Sequence, residues 1–216
     1  MTEAVCSGPP LVLLGAGGHA KVLLALAWAA RWQVQGVCDP QLALQQAGRW
    51  RDLPVLGADE ALDALDAAHV GLINGVGQLV GGSARRDLFL RLRQRGFRFP
   101  ALVHPAAWVD PSASLAEGVQ VMAGAVVQAD CLIGENSIVN TGATIDHDCV
   151  IGAHVHVAPG AVLCGSVRVG NRAFIGGGAF LLQGLTVGEC AVVGAGVTLA
   201  RDVDRDETYV RHARTK

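Results

Sequence analysis

The chemistry this chain could perform is most visible at His147 and Asp148, which close the polar run Asn140-Thr-Gly-Ala-Thr-Ile-Asp-His-Asp148. An imidazole titrates near neutral pH, and a neighbouring carboxylate can orient it and stabilise its protonated form. Such a pair suits removal of a proton from an amine or hydroxyl during acyl transfer. Asp148 also has a plainer reading, because aspartate is common wherever a backbone corner is needed. Gly165 stands eighteen residues beyond His147, and a glycine there leaves a backbone N–H open to a developing oxyanion. His156 lies nine residues beyond His147, and His154 between them reads as a solvent-exposed corner.

Those spacings acquire meaning from a repeat. Cut every six residues from Val109, the chain gives sixteen uninterrupted hexads, whose first places, from Val109 to Leu199, are all Val, Ile or Leu. These types supply only 59 of the 216 residues, so chance is no rival. Fifth places carry Ala, Val, Cys or Ser in fifteen of sixteen hexads, Leu185 being the exception. Fourth places carry Gly, Asp or Asn in eleven of sixteen. One large and one small inward side chain per hexad fills a narrow prism, and Gly, Asn and Asp tolerate the positive φ of its corners. The fold expected over residues 101–216 is a left-handed parallel β-helix of hexapeptide repeats, with three hexads per coil, followed by a short tail.

In that geometry Gly165 stacks over His147, with the imidazole pointing outward. His156, half a coil away, faces another side, so a single site using both histidines needs a neighbouring subunit or a ligand passing around an edge. The three histidines 147, 154 and 156 do not share a face, which disfavours a metal site of the carbonic-anhydrase kind. Cys131 and Cys149, both in fifth places and eighteen apart, should stack inside the prism as packing. Cys164 is the one thiol expected near the site, with nothing beside it to activate a thiolate.

Residues 1–100 follow a different period, expected to be a small parallel, Rossmann-like α/β domain. Leu11–Leu14 reads as a buried strand, with a helix running to about Trp32 and a second strand from Val34 to Cys38. Pro54–Leu56 and Val70–Asn74 suggest two more strands, and Ala58–Ala67 and Ser83–Arg95 two helices. Gly96 to Pro111, with three prolines, reads as the join. Gly15, Gly17 and Gly18 form a turn between strand and helix, His19 lies within it, and Asp39 follows the second strand. This pattern can bring peptide N–H groups and a helix N-terminus against a phosphate, or it can be a tight turn with no ligand. About 100 residues is nearer one mononucleotide half than the full dinucleotide fold. The arginines at 85, 86, 91, 93, 95 and 98 read as a solvated face.

Composition narrows the classes. Hydrophobic residues are 51% and charged residues 17% of the chain, so it is globular. A formal charge of −2 argues against nucleic acid as partner. No apolar run is long enough to span a membrane, and no signal peptide is visible. The six cysteines, at 6, 38, 131, 149, 164 and 190, show no metal-ligand spacing and read as reduced thiols of a cytoplasmic protein.

Taken together, Gly15-Ala-Gly-Gly-His-Ala-Lys21, Asp39-Pro40, Val103-His-Pro105, Asn140-Thr141, Asp146-His-Asp148 and the hexads resemble the PglD/NeuD-type sugar acyltransferases. These are hexapeptide-repeat nucleotide-sugar N-acetyltransferases and sialic-acid O-acetyltransferases. The resemblance implies a homotrimer that uses acetyl-CoA as co-substrate, held along the β-helix between subunits. It implies a nucleotide sugar with its nucleotide on the N-terminal domain, at Gly15, Gly17, Gly18, His19 and Asp39. His147 is then the general base, Asp148 its partner and Asn140 a substrate contact, while His156 and Gly165 meet the acetyl group or CoA. No metal or resident cofactor is implied. The sequence departs from the family twice: the base partner is often Glu, and the tail from Thr208 to Lys216 lacks the Gly-x-Pro-Ala-type segment that contributes to CoA binding. O-acetylation of a sugar or sialic acid is the nearest alternative activity. An NAD-linked oxidoreductase is disfavoured by the missing second half and the lack of a Tyr-x-x-x-Lys pair. A non-catalytic β-helix binding module is the third class.

Overall fold

The computed structural model describes residues 8–210. Cys6 and the tail residues 211–216 lie outside the described residues. The chain divides into two compact units between Leu102 and Val103.

The first unit is a parallel α/β layer. β1 (Leu11–Leu14) is apolar and buried on both faces, as expected for a strand between other strands and under helices. It leads through the glycine turn into α1 (Gly18–Ala29), and then β2 (Val34–Cys38), α2 (Pro40–Leu44), β3 (Arg49–Trp50), β4 (Leu53–Gly57), β5 (Gly71–Asn74) and α3 (Ala84–Gln94). The sheet order is β3-β4-β2-β1-β5, with β3 antiparallel and the rest parallel. The chain therefore builds outward from β1 on one side and then crosses to its other side for β5. Helix α1 ends at Ala29, three residues before the expected Trp32, where Arg31 turns left-handed with φ 60°. The helix expected over Ala58–Ala67 is a 3₁₀ helix, Asp59–Ala64. Helix α2 was not expected from the sequence. Its signal was present as an Asp39 N-cap followed by Pro40 at the first helical position.

The second unit is a three-sided parallel β-helix. Two-residue strands recur every six residues and form three sheets of six, five and seven strands. Pairing joins residues eighteen apart, as in Val126 with Thr144, Thr144 with Val162 and Val162 with Phe180. First places from Val121 to Leu199 are all buried, each aliphatic group adding roughly 1.5–3 kcal/mol of burial free energy. The corner residue explains how so short a strand can close a coil. Fourth places from Gly118 to Gly196 all have φ between 55° and 73°. Seven of these fourteen are not glycine, and His154, Ser166, Arg172 and Cys190 are not even Asn or Asp. A left-handed residue costs about 1–2 kcal/mol outside glycine, so ladder bonds and core packing outweigh local preference there.

Candidate active site

His147 and Asp148 are the two turn residues between strands Thr144–Ile145 and Val150–Ile151. The left-handed corner at Asp148, φ 59°, folds its carboxylate back toward the preceding side chain. His147 Nδ1 lies 2.6 Å from Asp148 Oδ2, and both side chains are about half exposed, 51% and 58%. The turn is tied at three further points. The His147 N–H donates to Asp146 Oδ1 at 2.9 Å, and the Asp148 N–H to the Ala129 carbonyl of the coil before at 3.0 Å. The Ser166 N–H donates to the His147 carbonyl at 2.8 Å. Asp148, and then the charge of Asp146, raise the His147 pKa above its ordinary value. A ring whose Nδ1–H donates to a carboxylate presents Nε2 as the free lone pair, and such a ring is a stronger base than an isolated histidine.

Gly165 stacks on this turn in the next coil. A Cβ built at Gly165 would lie 2.6 Å from His147 Cε1 and 2.7 Å from Nε2, so the ring rests on the bare Cα. Among the described residues the Gly165 N–H donates to no protein acceptor.

Two interior thiols lie beneath these turns. Cys131 Sγ donates to the Asp146 carbonyl at 3.0 Å and Cys149 Sγ to the Cys164 carbonyl at 3.3 Å. Both cysteines are fully buried, as packing residues should be, but each also supports the carbonyl just before His147 or Gly165.

Asn140 and His156 form a separate pair. Asn140 follows strand Ile138–Val139 and accepts from the Thr141 N–H at 2.8 Å through Oδ1, with Nδ2 at 3.4 Å from His156 Nε2. His156 is buried and stacked on Phe174, centroids 4.9 Å apart. Its strand belongs to a different sheet from Thr144–Ile145, so one copy of the β-helix carries His147–Asp148 and Asn140–His156 at different edges. The structure corrects the reading of His154. It occupies a left-handed corner yet is buried, held at Nδ1 by Asn136 at 3.0 Å and with Nε2 3.8 Å from Glu135. A cavity of about 540 Å³ lies at the last coil of this unit beside Arg201 and Tyr209 and contains no candidate base.

In the first unit the glycine loop lies where the sheet order reverses, between the carboxyl ends of β1 and β5. Parallel sheets open a crevice at that point. One cavity of about 380 Å³ is lined by Gly15 to His19, Asp39 and the loop Gly75 to Gly77, and a second of the same volume continues past Asp39 toward Asp59 and Arg91. Gly15 has φ 84°, which a β-carbon would strain, and its N–H donates to the Cys38 carbonyl at 2.8 Å. Helix α1 has Gly17 at its N-cap, with no side-chain cap and no acidic residue in its first turn, leaving its positive end toward the loop. Asp39 is engaged within the protein. Its Oδ2 accepts from the Ala16 N–H, and its Oδ1 from the Gln41 and Leu42 N–H groups, each at 2.9 Å. It braces the glycine loop and caps α2 while lining the crevice. Burial pushes the neighbouring Cys38 thiol up to about 11, helped by Asp59 and Glu60, so it stays protonated at neutral pH.

Arg85 also departs from the expected solvated face. It is 2% exposed and donates through Nη1 to the carbonyls of Asn74 (2.7 Å) and Val76 (2.8 Å). Among the described residues no group of three or more His, Cys, Asp or Glu could hold a metal ion, and no helix is long and apolar enough to cross a membrane.

Known proteins match both units. The PglD N-terminal domain model covers residues 10–89. The bacterial transferase hexapeptide model covers 112–147, 130–165 and 148–183, and the succinyl-transferase hexapeptide repeat model 166–201. No functionally curated relative matches the chain. The acetyltransferase domain of PglB from Neisseria gonorrhoeae, solved with acetyl coenzyme A, is 36% identical over 94% of this chain and 96% of its own, TM-score 0.86. Perosamine N-acetyltransferase from Caulobacter crescentus, solved as a histidine-to-asparagine variant with CoA and GDP-perosamine, is 37% identical over 95% of this chain and 94% of its own, TM-score 0.84. WeeI from Acinetobacter baumannii shares the fold at 22% identity and TM-score 0.82. With an N-terminal domain and repeats of this kind, and relatives this similar along their whole length, the chain belongs to the PglD-type family of hexapeptide-repeat sugar acyltransferases.

Proposed function

We propose that this protein transfers an acetyl group from acetyl-CoA to the amino group of a nucleotide-linked aminosugar. The observation that carries the reading is the exposed His147–Asp148 pair, with its imidazole laid on Gly165 and its basicity raised. The amine attacks the thioester carbonyl while His147 Nε2 takes its proton. A C–N bond forms, the C–S bond breaks, and the proton passes to the departing CoA thiolate. The Gly165 N–H donates to the tetrahedral oxyanion. The transfer is direct, with no acyl-enzyme, since the two thiols beneath the turns, Cys131 and Cys149, are sealed inside the prism. Asn140 helps place the sugar substrate, and His156 faces the acetyl group or CoA. The crevice at Gly15, Gly17, Gly18 and His19 holds the nucleotide diphosphate against the N-terminus of α1, and Asp39 keeps that loop in shape. Acetyl-CoA acts as co-substrate, with no metal and no resident cofactor. A homotrimer working in the cytoplasm fits this reading, because the two edge pairs of one copy are separate. The solved complexes of the two relatives, one with acetyl-CoA and the other with CoA and a GDP-linked sugar, support this substrate pair.

The experiment is a panel of UDP-, GDP- and dTDP-linked aminosugars with acetyl-CoA, followed by thiol release and product mass. Turnover with at least one, lost on His147→Ala, is expected. No turnover with any of them, or full activity of His147→Ala, overturns the reading. Product carrying an ester in place of an amide would move the activity to O-acetylation.

A further inference from the structure

Among the described residues Arg85 is the most deeply buried charge in the first unit, and the acyl-transfer chemistry does not use it. It sits one residue into α3, and its guanidinium reaches back under the loop that follows β5. One nitrogen, Nη1, takes the carbonyls on both sides of Gly75, Asn74 at 2.7 Å and Val76 at 2.8 Å. The contact is reciprocal, because Asn74 Nδ2 donates to the Arg85 carbonyl at 3.0 Å and Asn74 Oδ1 accepts from the Val76 N–H at 3.2 Å. Burial pulls the guanidinium down to about 9, still well above neutrality, so the cation persists at working pH.

The loop held in this way is a wall of the crevice. Gly75 packs so closely on β1 and α1 that a Cβ there would lie 2.6 Å from the Leu14 carbonyl and 2.8 Å from Ala20 Cβ. Gly77 faces His19, and Val76 faces Gly15. Gly75, Val76 and Gly77 line the cavity shared with the glycine loop, whereas Arg85 lines neither cavity. The carbonyls it takes are therefore directed to the far side of the loop. Carbonyl oxygens turned into a phosphate site would repel the anion, and a buried cation behind the wall adds a favourable field.

We propose that Arg85 is a positioning residue for the nucleotide diphosphate: by drawing the Asn74 and Val76 carbonyls onto itself, it fixes the Gly75–Gly77 wall in the anion-accepting orientation. This rests on the proposed nucleotide-sugar activity. The role predicts a selective effect, since the base and its partner lie in the other unit.

The test compares wild type with Arg85→Met and Arg85→Lys, using calorimetric titration with UDP, GDP and dTDP and steady-state kinetics with the accepted sugar. In Arg85→Met the nucleotide Kd and the nucleotide-sugar KM should rise about tenfold or more, the loss expected from charge-assisted hydrogen bonds. The KM for acetyl-CoA and kcat at saturation should stay within about twofold of wild type, and Arg85→Lys should recover part of the loss. A nucleotide-sugar KM unchanged in folded Arg85→Met overturns the proposal, as does a parallel loss in both substrates. Where Arg85→Met does not fold, Arg85→Lys decides: a selective rise of about threefold or more supports the role, and none overturns it. Wild type that binds none of the three nucleotides overturns the proposed function together with this role. Wild type that binds, with Arg85→Met binding equally well, overturns only the role.

Discussion

Replacing Gly165 by alanine is a single-methyl perturbation with a geometric consequence that can be worked out in advance. Gly165 is absent from the left-handed residues, so alanine fits its backbone without strain. The three nearest atoms it would meet all belong to the imidazole. The new methyl would sit 2.6 Å from Cε1 and 2.7 Å from Nε2 of His147, where carbon contacts settle at about 3.5–4.0 Å. The ring must withdraw by about 1 Å. Its tether to Asp148 is 2.6 Å long, and most of that movement lengthens or bends it. A displacement of this size at a reacting group can cost about 10²-fold, and the full general-base contribution is about 10²–10⁴-fold. Gly165→Ala should therefore lower kcat by about 10²-fold and leave the nucleotide-sugar KM close to wild type. The N–H that faces the oxyanion is retained, so the loss reports the ring and not the oxyanion donor. Stability should change by less than about 1 kcal/mol, because the ring is half exposed and can swing into solvent. The assay is thiol release from acetyl-CoA at saturating aminosugar, with a melting curve as control. Wild-type kcat in folded Gly165→Ala would refute the argument, since it would mean that His147 needs neither this seat nor this orientation.

Asp148→Asn removes the main cause of the raised His147 pKa. A base must be unprotonated, so the acidic limb of the rate profile should move to lower pH as maximal kcat falls about tenfold or more; a limb that stays put refutes the assignment. Asp39→Ala breaks three backbone contacts and should cost about 1 kcal/mol in thermal unfolding while raising the nucleotide-sugar KM and sparing that of acetyl-CoA. Cys131→Ser keeps a donor for the Asp146 carbonyl and should retain kcat within about threefold, whereas Cys131→Leu overpacks the prism and should lower stability by about 1–3 kcal/mol, both readable from kinetics and melting.

Much of the second unit was legible because one number governs it. A six-residue period names the inward aliphatics, the corners and, through three hexads per coil, the partner above each residue. Gly165 over His147 follows from that arithmetic. Side chains outside the period were not legible. His154 satisfies the corner rule, but Asn136 and Glu135 draw its ring out of solvent, and no spacing rule reports that. Thiols chosen by size for the interior also turn out to serve carbonyls. In the first unit the strands could be read from apolar runs, and the glycine turn from its punctuation. The bracing role of Asp39 and the inward turn of Arg85 were not legible for a common reason. A charged side chain reads as solvent-facing or ligand-facing, and the demand of nearby backbone groups for a partner appears only once the chain is folded. Helix α2 had a readable start, and its brevity hid it.

The eighteen-residue pairing of the β-helix also limits how such a protein can change length. From Val109 to Leu199 each residue has an angular address on the prism, set by its position modulo eighteen. Adding one whole coil beyond the last turn of the site preserves every address, so the shaft can be extended without retuning the chemistry. Adding a single hexad between His147 and Gly165 would rotate everything downstream by a third of a turn and place a stranger above the imidazole. Length in this architecture is quantised, and the smallest change that leaves the work undisturbed is a full circuit.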